Sequence, residues 1–429
     1  MKIKRNIRHL MFLVCMMVIS SCTLFPVSSE KDSLPSTSST IVSSAEPASE
    51  DDSEASSLES SAPQSSEAPT SEAPPSESEV PSSEPEPSSE EVSSSEEPSV
   101  SVELEMKRST YTNSVYFYDF PDPSGVYDPI QRMWFLYATG GQYLRSSDGV
   151  TWGNKGWVFG HLPSWGTTGA GLWAPDVQYI NGQYVMYYSL STWGDPNPGI
   201  GYATAPKPNG PWTDHGKLFL SLEIGVNNSI DANAFVDPNT NRVYLVWGSM
   251  RGNYLVELTR DGLGFKAGSV ENAALSKIRV AGLETEHGWD AETYEAAYIR
   301  YWRGYYYLFL SMGTCCEGLS STYKVVVGRA LSPYGPYYDD TGKDMRNRSA
   351  GKLVLQKNDT FVGTGHNCVI DDVNGEPWIY YHAYHVDKQS ARVLLQDKLL
   401  FDENGWPYVE NYTPSTTEQI GPYYHSVVE

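Results

Sequence analysis

WFLYATG at residues 134–140, YVMYYSLS at 184–191, VYLVWGS at 243–249, YYYLFLS at 305–311 and WIYYHAY at 378–384 are five versions of one strand. Each is a short run of aromatic and β-branched side chains, the composition that packs well on a pleated surface. They recur roughly 50 to 70 residues apart, the period of a propeller or solenoid repeat. A glycine turn and then an aromatic follow each run, in SSDGVTW ending at Trp152, PKPNGPW at Trp212, TRDGLGF at Phe265, SPYGPYY around Tyr337 and FDENGWP at Trp406. Asp or Asn opens such turns and Gly takes the positive φ inside them. No 3.6-residue apolar period persists between the runs. The repeat predicts an all-β protein, a five-bladed β-propeller of four-stranded blades.

A third feature recurs ahead of each run. One polar residue sits at the start of an apolar or Pro-rich strand: Asp122 in FPDPS, Asp176 in WAPDV, Asp231 in SIDANAF, Glu295 in YEAAYI and His366 in GTGHNCVI. The first strand of a blade lies nearest the propeller axis, so these residues are expected to converge on one central channel. Asp before Pro is also common in turns, but five repetitions of one placement outweigh that reading. Carboxylates crowded together repel, which pulls their pKa values apart and separates acid from base roles. Asp128 and Glu292 are rivals for two of these places. Asp128 lies where a hairpin turn is expected. Glu292 lacks the alternation by which Glu295, Ala297 and Ile299 share a face.

The chain has 429 residues and a formal net charge of -23. Of that, -19 lies between residues 23 and 105 and +4 in the first 22, which leaves -8 for the remainder. Residues 1–21 open with Lys2, Lys4, Arg5 and Arg8 and continue into MFLVCMMVIS, the pattern of a secretory signal. Small residues just ahead of Cys22 resemble a bacterial lipoprotein cleavage site, so residues 1–21 are expected to be removed and Cys22 lipidated. Residues 22–105 are rich in Ser, Glu and Pro and lack Trp and Tyr. Such a segment buries too little apolar surface to offset its chain entropy, and is expected to be a disordered, self-repelling tether. Residues 106–429 form the expected propeller. Its acidity gives no support for nucleic-acid binding, which wants a basic face, and no nucleic-acid partner is expected. The expected location is extracellular, at the cell surface, with the membrane engaged only through lipid at Cys22. A monomer is expected. Three cysteines remain in the propeller: Cys315, Cys316 and Cys368. They allow a bridge between neighbours, a pairing of either with Cys368, or three buried thiols.

The residues around these polar positions resemble glycoside hydrolase family 43, and within it the endo-α-1,5-L-arabinanases. The matching pieces run in order: Asp122-Pro123-Ser124, Trp173-Ala174-Pro175-Asp176, Asn228-Ser229-Ile230-Asp231 with VWGS, Glu295-Ala296-Ala297-Tyr298-Ile299, Cys315-Cys316-Glu317-Gly318 with STYKVVVGR, and Gly365-His366-Asn367. The resemblance covers nearly all of residues 116–408. It implies inverting hydrolysis of arabinan, with Asp122 as general base, Glu295 as general acid and Asp231 as the group that orients the acid and raises its pKa. It implies that His366 holds a calcium ion, directly or through water. Calcium prefers hard oxygen ligands, so water would supply most of its shell. Trp173, Asp176, Trp193, Asn228 and Arg392 are the expected substrate-binding residues, with Trp165 a further aromatic nearby. Three neighbours depart from the family pattern: Pro121 replaces a usual His, Ala232 a usual Pro and Ala297 a usual Pro. None removes a carboxylate.

Three other readings compete. An exo-acting arabinofuranosidase or β-xylosidase of the same family would carry the same trio. A non-catalytic carbohydrate-binding lipoprotein would have little need to keep Asp122, Asp231 and Glu295 together. A sialidase-like propeller is suggested by SSDGVTW, but that turn is one residue off the expected spacing and no arginine trio with a tyrosine nucleophile is evident.

Deleting residues 28–101 should leave turnover of a soluble oligosaccharide unchanged; a clear loss would contradict the tether reading. Cys22→Ala should release the protein into the medium, whereas retention on cells would exclude the lipid anchor.

Overall fold

The computed structural model describes residues 103–284 and 292–428. The signal, Cys22 and the tether up to residue 102 lie outside them. The described chain begins with β1 (Leu104–Tyr111). Blade 1 contains β2 (Ser124–Asp128), β3 (Met133–Ala138), β4 (Gln142–Ser146) and β5 (Gly153–Trp157). Blade 2 contains β6 (Gly171–Ile180), β7 (Gln183–Ser191), β8 (Gly199–Ala205) and β9 (Thr213–Leu220). Blade 3 contains β10 (Asn233–Val236), β11 (Val243–Trp247), β12 (Asn253–Leu258) and β13 (Ile278–Ala281). Blade 4 contains β14 (Tyr294–Trp302), β15 (Tyr305–Met312), β16 (Lys324–Ala330) and β17 (Lys352–Leu355). Blade 5 contains β18 (Phe361–Asp371), β19 (Pro377–His385), β20 (Lys388–Phe401) and β21 (Pro407–Val409), and β22 (Gln419–Val427) follows.

Each blade is an antiparallel sheet in chain order, and the first strands β2, β6, β10, β14 and β18 contact one another in sequence and back to β2. The five aromatic runs form the second strands, as the repeat predicts. They are buried almost throughout because each blade packs on both faces. The apolar clusters accordingly lie between blades: one joins blades 1 and 2, one blades 2 and 3, one blades 3 and 4, and the largest joins blades 4, 5 and 1.

The glycine turns have a second use. Tyr137, Tyr187 and Tyr307, on the second strands of blades 1, 2 and 4, each donate a hydroxyl hydrogen bond to a turn of the next blade, at Pro208, Gly262 and Gly405. The aromatics after two of those turns pack on the same tyrosines, Trp212 against Tyr137 and Trp406 against Tyr307. The repeat in the sequence is therefore a repeat of blade-to-blade contacts. In SSDGVTW the Asp148 carboxylate accepts from the Val150 and Thr151 amides and the Ser146 hydroxyl, so it is spent inside its turn.

The first strands are also pinned to one another. Ser124 donates to the Pro175 carbonyl. The Asp176 carboxylate accepts from the Ala234 amide and the Asn233 side chain, and Asn233 in turn accepts from the Ile299 amide. Tyr298 and Arg300 both donate to the Val369 carbonyl. The first and last described strands pair outside the blades. β1 pairs antiparallel with β22, and the chain leaving β1 runs along β20, bonding at Val115, Tyr116 and Phe120, before it reaches Asp122. That path brings Asp122 alongside Arg392 of β20.

Candidate active site

At the axis each blade contributes one non-glycine residue with left-handed backbone: Asp122, Ala174, Asp231, Ala296 and His366, with φ of 57°, 41°, 60°, 53° and 50°. An L residue in this conformation costs roughly 1–2 kcal/mol, so five at equivalent places require compensation. In every case the N–H of the left-handed residue finds a side-chain acceptor. Ala174 donates to Thr139 Oγ1 (2.9 Å), Asp231 to Ser189 Oγ (3.1 Å), His366 to Ser311 Oγ (2.7 Å) and Asp122 to His382 Nδ1 (3.0 Å). Each acceptor stands near the end of the preceding blade's second strand, opposite the residue before that blade's own left-handed position. In blade 3 the matching place is Gly248, which has no side chain to offer. The Ala296 N–H is taken instead by Asp231 Oδ2, at 3.3 Å. The missing acceptor thus brings the Asp231 carboxylate to the edge of the strand that carries Glu295.

These kinks open a cavity of about 660 Å³, lined by Asp122, Asp231, Glu295, His366, Arg392, Trp173, Trp193 and Asn228 among others. Asp122 is surrounded by cationic and donor groups: Arg392 Nη1 at 3.1 Å, Thr139 Oγ1 at 2.6 Å and His366 Nδ1 at 3.3 Å. Burial pushes its carboxyl up, but Arg392, with His366 and the Thr139 hydroxyl, holds it well below the usual carboxylate range. Asp231 and Glu295 behave in the opposite sense. Burial raises both, and each feels negative neighbours: Glu295 and Asp122 act on Asp231, and Asp122 acts on Glu295. The pair therefore retains a proton to higher pH than ordinary carboxyls, and that proton belongs to both groups. Glu295 is fixed by two hydroxyl donors, Tyr323 at Oε1 (2.6 Å) and Ser249 at Oε2 (2.7 Å). Tyr323 can lie there because Gly365 has no side chain; a Cβ on Gly365 would meet the Tyr323 ring at 2.2 Å.

Trp173 and Trp193 stand with ring centroids 5.5 Å apart, and Trp193 is 69% exposed, an open apolar surface at the cavity. Asp176 is not with them. Blade 2 places its left-handed kink at Ala174, so Asp176 lies two residues beyond and its buried carboxylate faces blade 3, where burial raises it to about 6. The reading of Asp176 as a sugar ligand is corrected accordingly. Trp165 donates to Tyr188 Oη rather than lining the cavity. Asp128 caps its hairpin turn at Ile130, and Glu292 is an exposed partner of Arg348. Cys315 and Cys316 form a disulfide between neighbours on the cavity wall, with Cys316 Sγ 3.5 Å from Arg392 Nη1; Cys368 is a buried thiol. Thr139, Ser249, Tyr323 and His382 were not anticipated. A signal existed for two of them: the aromatic runs of blades 1 to 4 each contain a Ser or Thr near their C-terminal end.

Among the described residues no group of three or more His, Cys, Asp and Glu side chains could enclose a metal ion. A mostly hydrated ion on one imidazole is nonetheless compatible with His366. Burial and Arg392 lower the His366 pKa, which leaves a neutral ring with a lone pair. On the same strand, the buried polar atoms of Thr364 and Asn367 have no hydrogen-bond partner among the described residues. Buried groups of this kind are ordinarily satisfied by water.

One carboxyl held ionised, a second pair holding a proton, and indole rings beside them are the working parts of a glycoside hydrolase. Similarity to known proteins agrees. Residues 111–407 match Glycosyl hydrolases family 43. The extracellular exo-α-(1→5)-L-arabinofuranosidase of Cellvibrio japonicus is 32% identical over 302 residues, 66% of this chain and 86% of that protein. The extracellular endo-α-(1→5)-L-arabinanase 1 of Bacillus subtilis is 33% identical over 271 residues, 62% of this chain and 78% of that protein. The α-L-arabinanase of Cellvibrio cellulosa, solved with arabinohexaose, superimposes with a TM-score of 0.61 at 29% identity, covering 68% of this chain and 96% of that one. The chain belongs to glycosyl hydrolase family 43 and is a glycoside hydrolase.

Proposed function

We propose that this enzyme hydrolyses α-1,5-L-arabinofuranosidic bonds within arabinan, outside the cell, by single displacement with inversion. The observation that carries the reading is the split between Asp122 and the Asp231–Glu295 pair in one cavity. Asp122, ionised, accepts a proton from water as that water attacks the anomeric carbon. Glu295 delivers its proton to the departing glycosidic oxygen, so the leaving group departs as an alcohol. Asp231 contributes the negative charge that keeps the proton on Glu295 until substrate arrives. Arg392 keeps Asp122 ionised; in this position it orients the base as well as offering N–H groups toward sugar hydroxyls. Trp173 and Trp193 supply apolar faces for furanose rings. An exo-acting enzyme is the second reading, favoured by the Cellvibrio japonicus relative. Linear arabinan separates the two. Early release of mixed oligosaccharides supports internal cleavage, and a single short product from the start supports the exo reading. Turnover of xylan with none of arabinan would contradict both.

Asp122→Asn, Asp231→Asn and Glu295→Gln should each lower turnover of arabinan by at least ~100-fold, the scale of a positioned acid or base. On an aryl arabinofuranoside with a good leaving group, Glu295→Gln should lose far less and Asp122→Asn should lose heavily. Asp231→Asn should move the basic limb of the pH–rate profile down, because the charge that holds the proton on Glu295 is gone. Full activity of Asp122→Asn or Glu295→Gln on arabinan would overturn the roles.

His366 is proposed to hold a calcium ion together with water. When bound, the ion would supply positive charge to the cavity. Calcium titrated into chelator-treated protein should bind measurably by calorimetry, and His366→Ala should abolish the heat while leaving the thermal unfolding midpoint near that of the parent. Equal binding by parent and variant would exclude His366 as the ligand.

A further inference from the structure

Four of the five blades spend a second-strand side chain on the N–H of the next blade's left-handed residue. Blade 3 does not, because Gly248 occupies that place. Its neighbour Ser249 is therefore free of the capping duty and turns its hydroxyl to Glu295 Oε2. Tyr323, on the loop leading into β16, takes Oε1. Both hydroxyl groups donate, both are buried, and together they address both oxygens of one carboxyl. Tyr323 remains a donor across the working pH range, since burial and the charge of Glu295 push its phenol well above the usual value.

We propose that Ser249 and Tyr323 form a two-hydroxyl cradle that stabilises the carboxylate left on Glu295 as its proton passes to the glycosidic oxygen. This rests on Glu295 being the general acid. A hydrogen bond to an ionised carboxylate is roughly twice as strong as one to its neutral form. The cradle is therefore strongest after proton delivery, and an interaction that strengthens toward the transition state accelerates the step rather than tightening substrate binding. It also offsets the effect of burial. A deeply buried carboxyl beside Asp231 would otherwise hold its proton too firmly to give it up. The bond that breaks is Glu295 O–H and the bond that forms is O–H on the leaving alcohol. Ser249 and Tyr323 keep their own protons throughout, so they are positioning residues. The charged and titratable groups facing Glu295 are Asp231, Asp122, Arg392 and Tyr323, and the first three are unaltered by removing either hydroxyl.

The test is a pair of pH–rate profiles on arabinan and on an activated aryl arabinofuranoside, for Ser249→Ala and Tyr323→Phe. Each should lower kcat on arabinan roughly 10- to 100-fold, the scale of a lost bond to a charged group, with KM little changed. Each should move the basic limb up, because Glu295 then binds its proton more tightly. The loss should be much smaller on the aryl substrate. Ser311→Ala, which removes the capping hydroxyl at the His366 N–H and leaves both hydroxyl bonds to Glu295 in place, should leave the basic limb in place. Equal losses on both substrates with an unmoved basic limb would overturn the cradle and leave only a packing role. If Glu295→Gln itself keeps full activity on arabinan, the acid assignment fails first. If Glu295→Gln is inactive while both hydroxyl variants match the parent in rate and pH profile, the cradle alone is wrong. Tyr323→Phe deletes a single oxygen and keeps the ring, so it decides the matter should Ser249→Ala disturb folding.

Discussion

Five backbone N–H groups at the propeller axis must be satisfied, and the architecture of the site follows from how that is done. Each belongs to a left-handed residue where the innermost strand kinks. An N–H buried without an acceptor costs free energy comparable to a lost hydrogen bond. The neighbouring blade supplies that acceptor, so no blade completes its own inner edge. The arrangement ties blade order to site geometry. Thr139 accepts from Ala174 and donates to Asp122, so one hydroxyl both joins blades 1 and 2 and orients the carboxylate assigned as base. His382 accepts the Asp122 amide on Nδ1, which fixes its neutral tautomer with the proton on Nε2. At Gly248 the pattern lapses, and Asp231 fills the gap. Broken symmetry, more than the repeat itself, brings the Asp231 carboxylate to the strand that carries Glu295.

The electrostatic division has the same origin. All three carboxyls are taken largely out of water, which raises each of them. What separates them is the company they keep. Asp122 sits where blades 5 and 1 meet and gains Arg392, His366 and the Thr139 hydroxyl. Asp231 and Glu295 sit where blades 3 and 4 meet, where Asp231 feels the charge of Glu295 and of Asp122, and Glu295 feels that of Asp122. A propeller channel lets residues from different blades face one another across open space, which an inverting displacement requires and a single strand cannot provide.

Much of this was legible in the sequence. The aromatic runs marked every second strand, the glycine turns marked blade-to-blade contacts, and Asp122, Asp231, Glu295 and His366 arrive together in one cavity. Asp176 shows where the reading failed. Counting back from an aromatic run treats strand starts as equivalent, but equivalence at the axis is set by the kink. In WAPD that kink falls on Ala174, and a shift of two residues sends Asp176 to the blade interface. Tyr323 was hidden for a different reason. It reaches Glu295 across blade 4 only because Gly365, on blade 5, leaves room, and such a long-range permission has no local signature. The Ser or Thr near the end of four runs was in plain view, yet its meaning depends on register between blades.

Asp122 is proposed to activate a water on one face of the sugar while Glu295 protonates the leaving oxygen on the other. The anomeric configuration of the first-formed product tests it most directly. Proton NMR of α-1,5-linked arabino-oligosaccharide hydrolysis, recorded before mutarotation, should show the β-anomer appearing first. Initial release of the α-anomer would mean a covalent double displacement and would contradict the roles given to both residues.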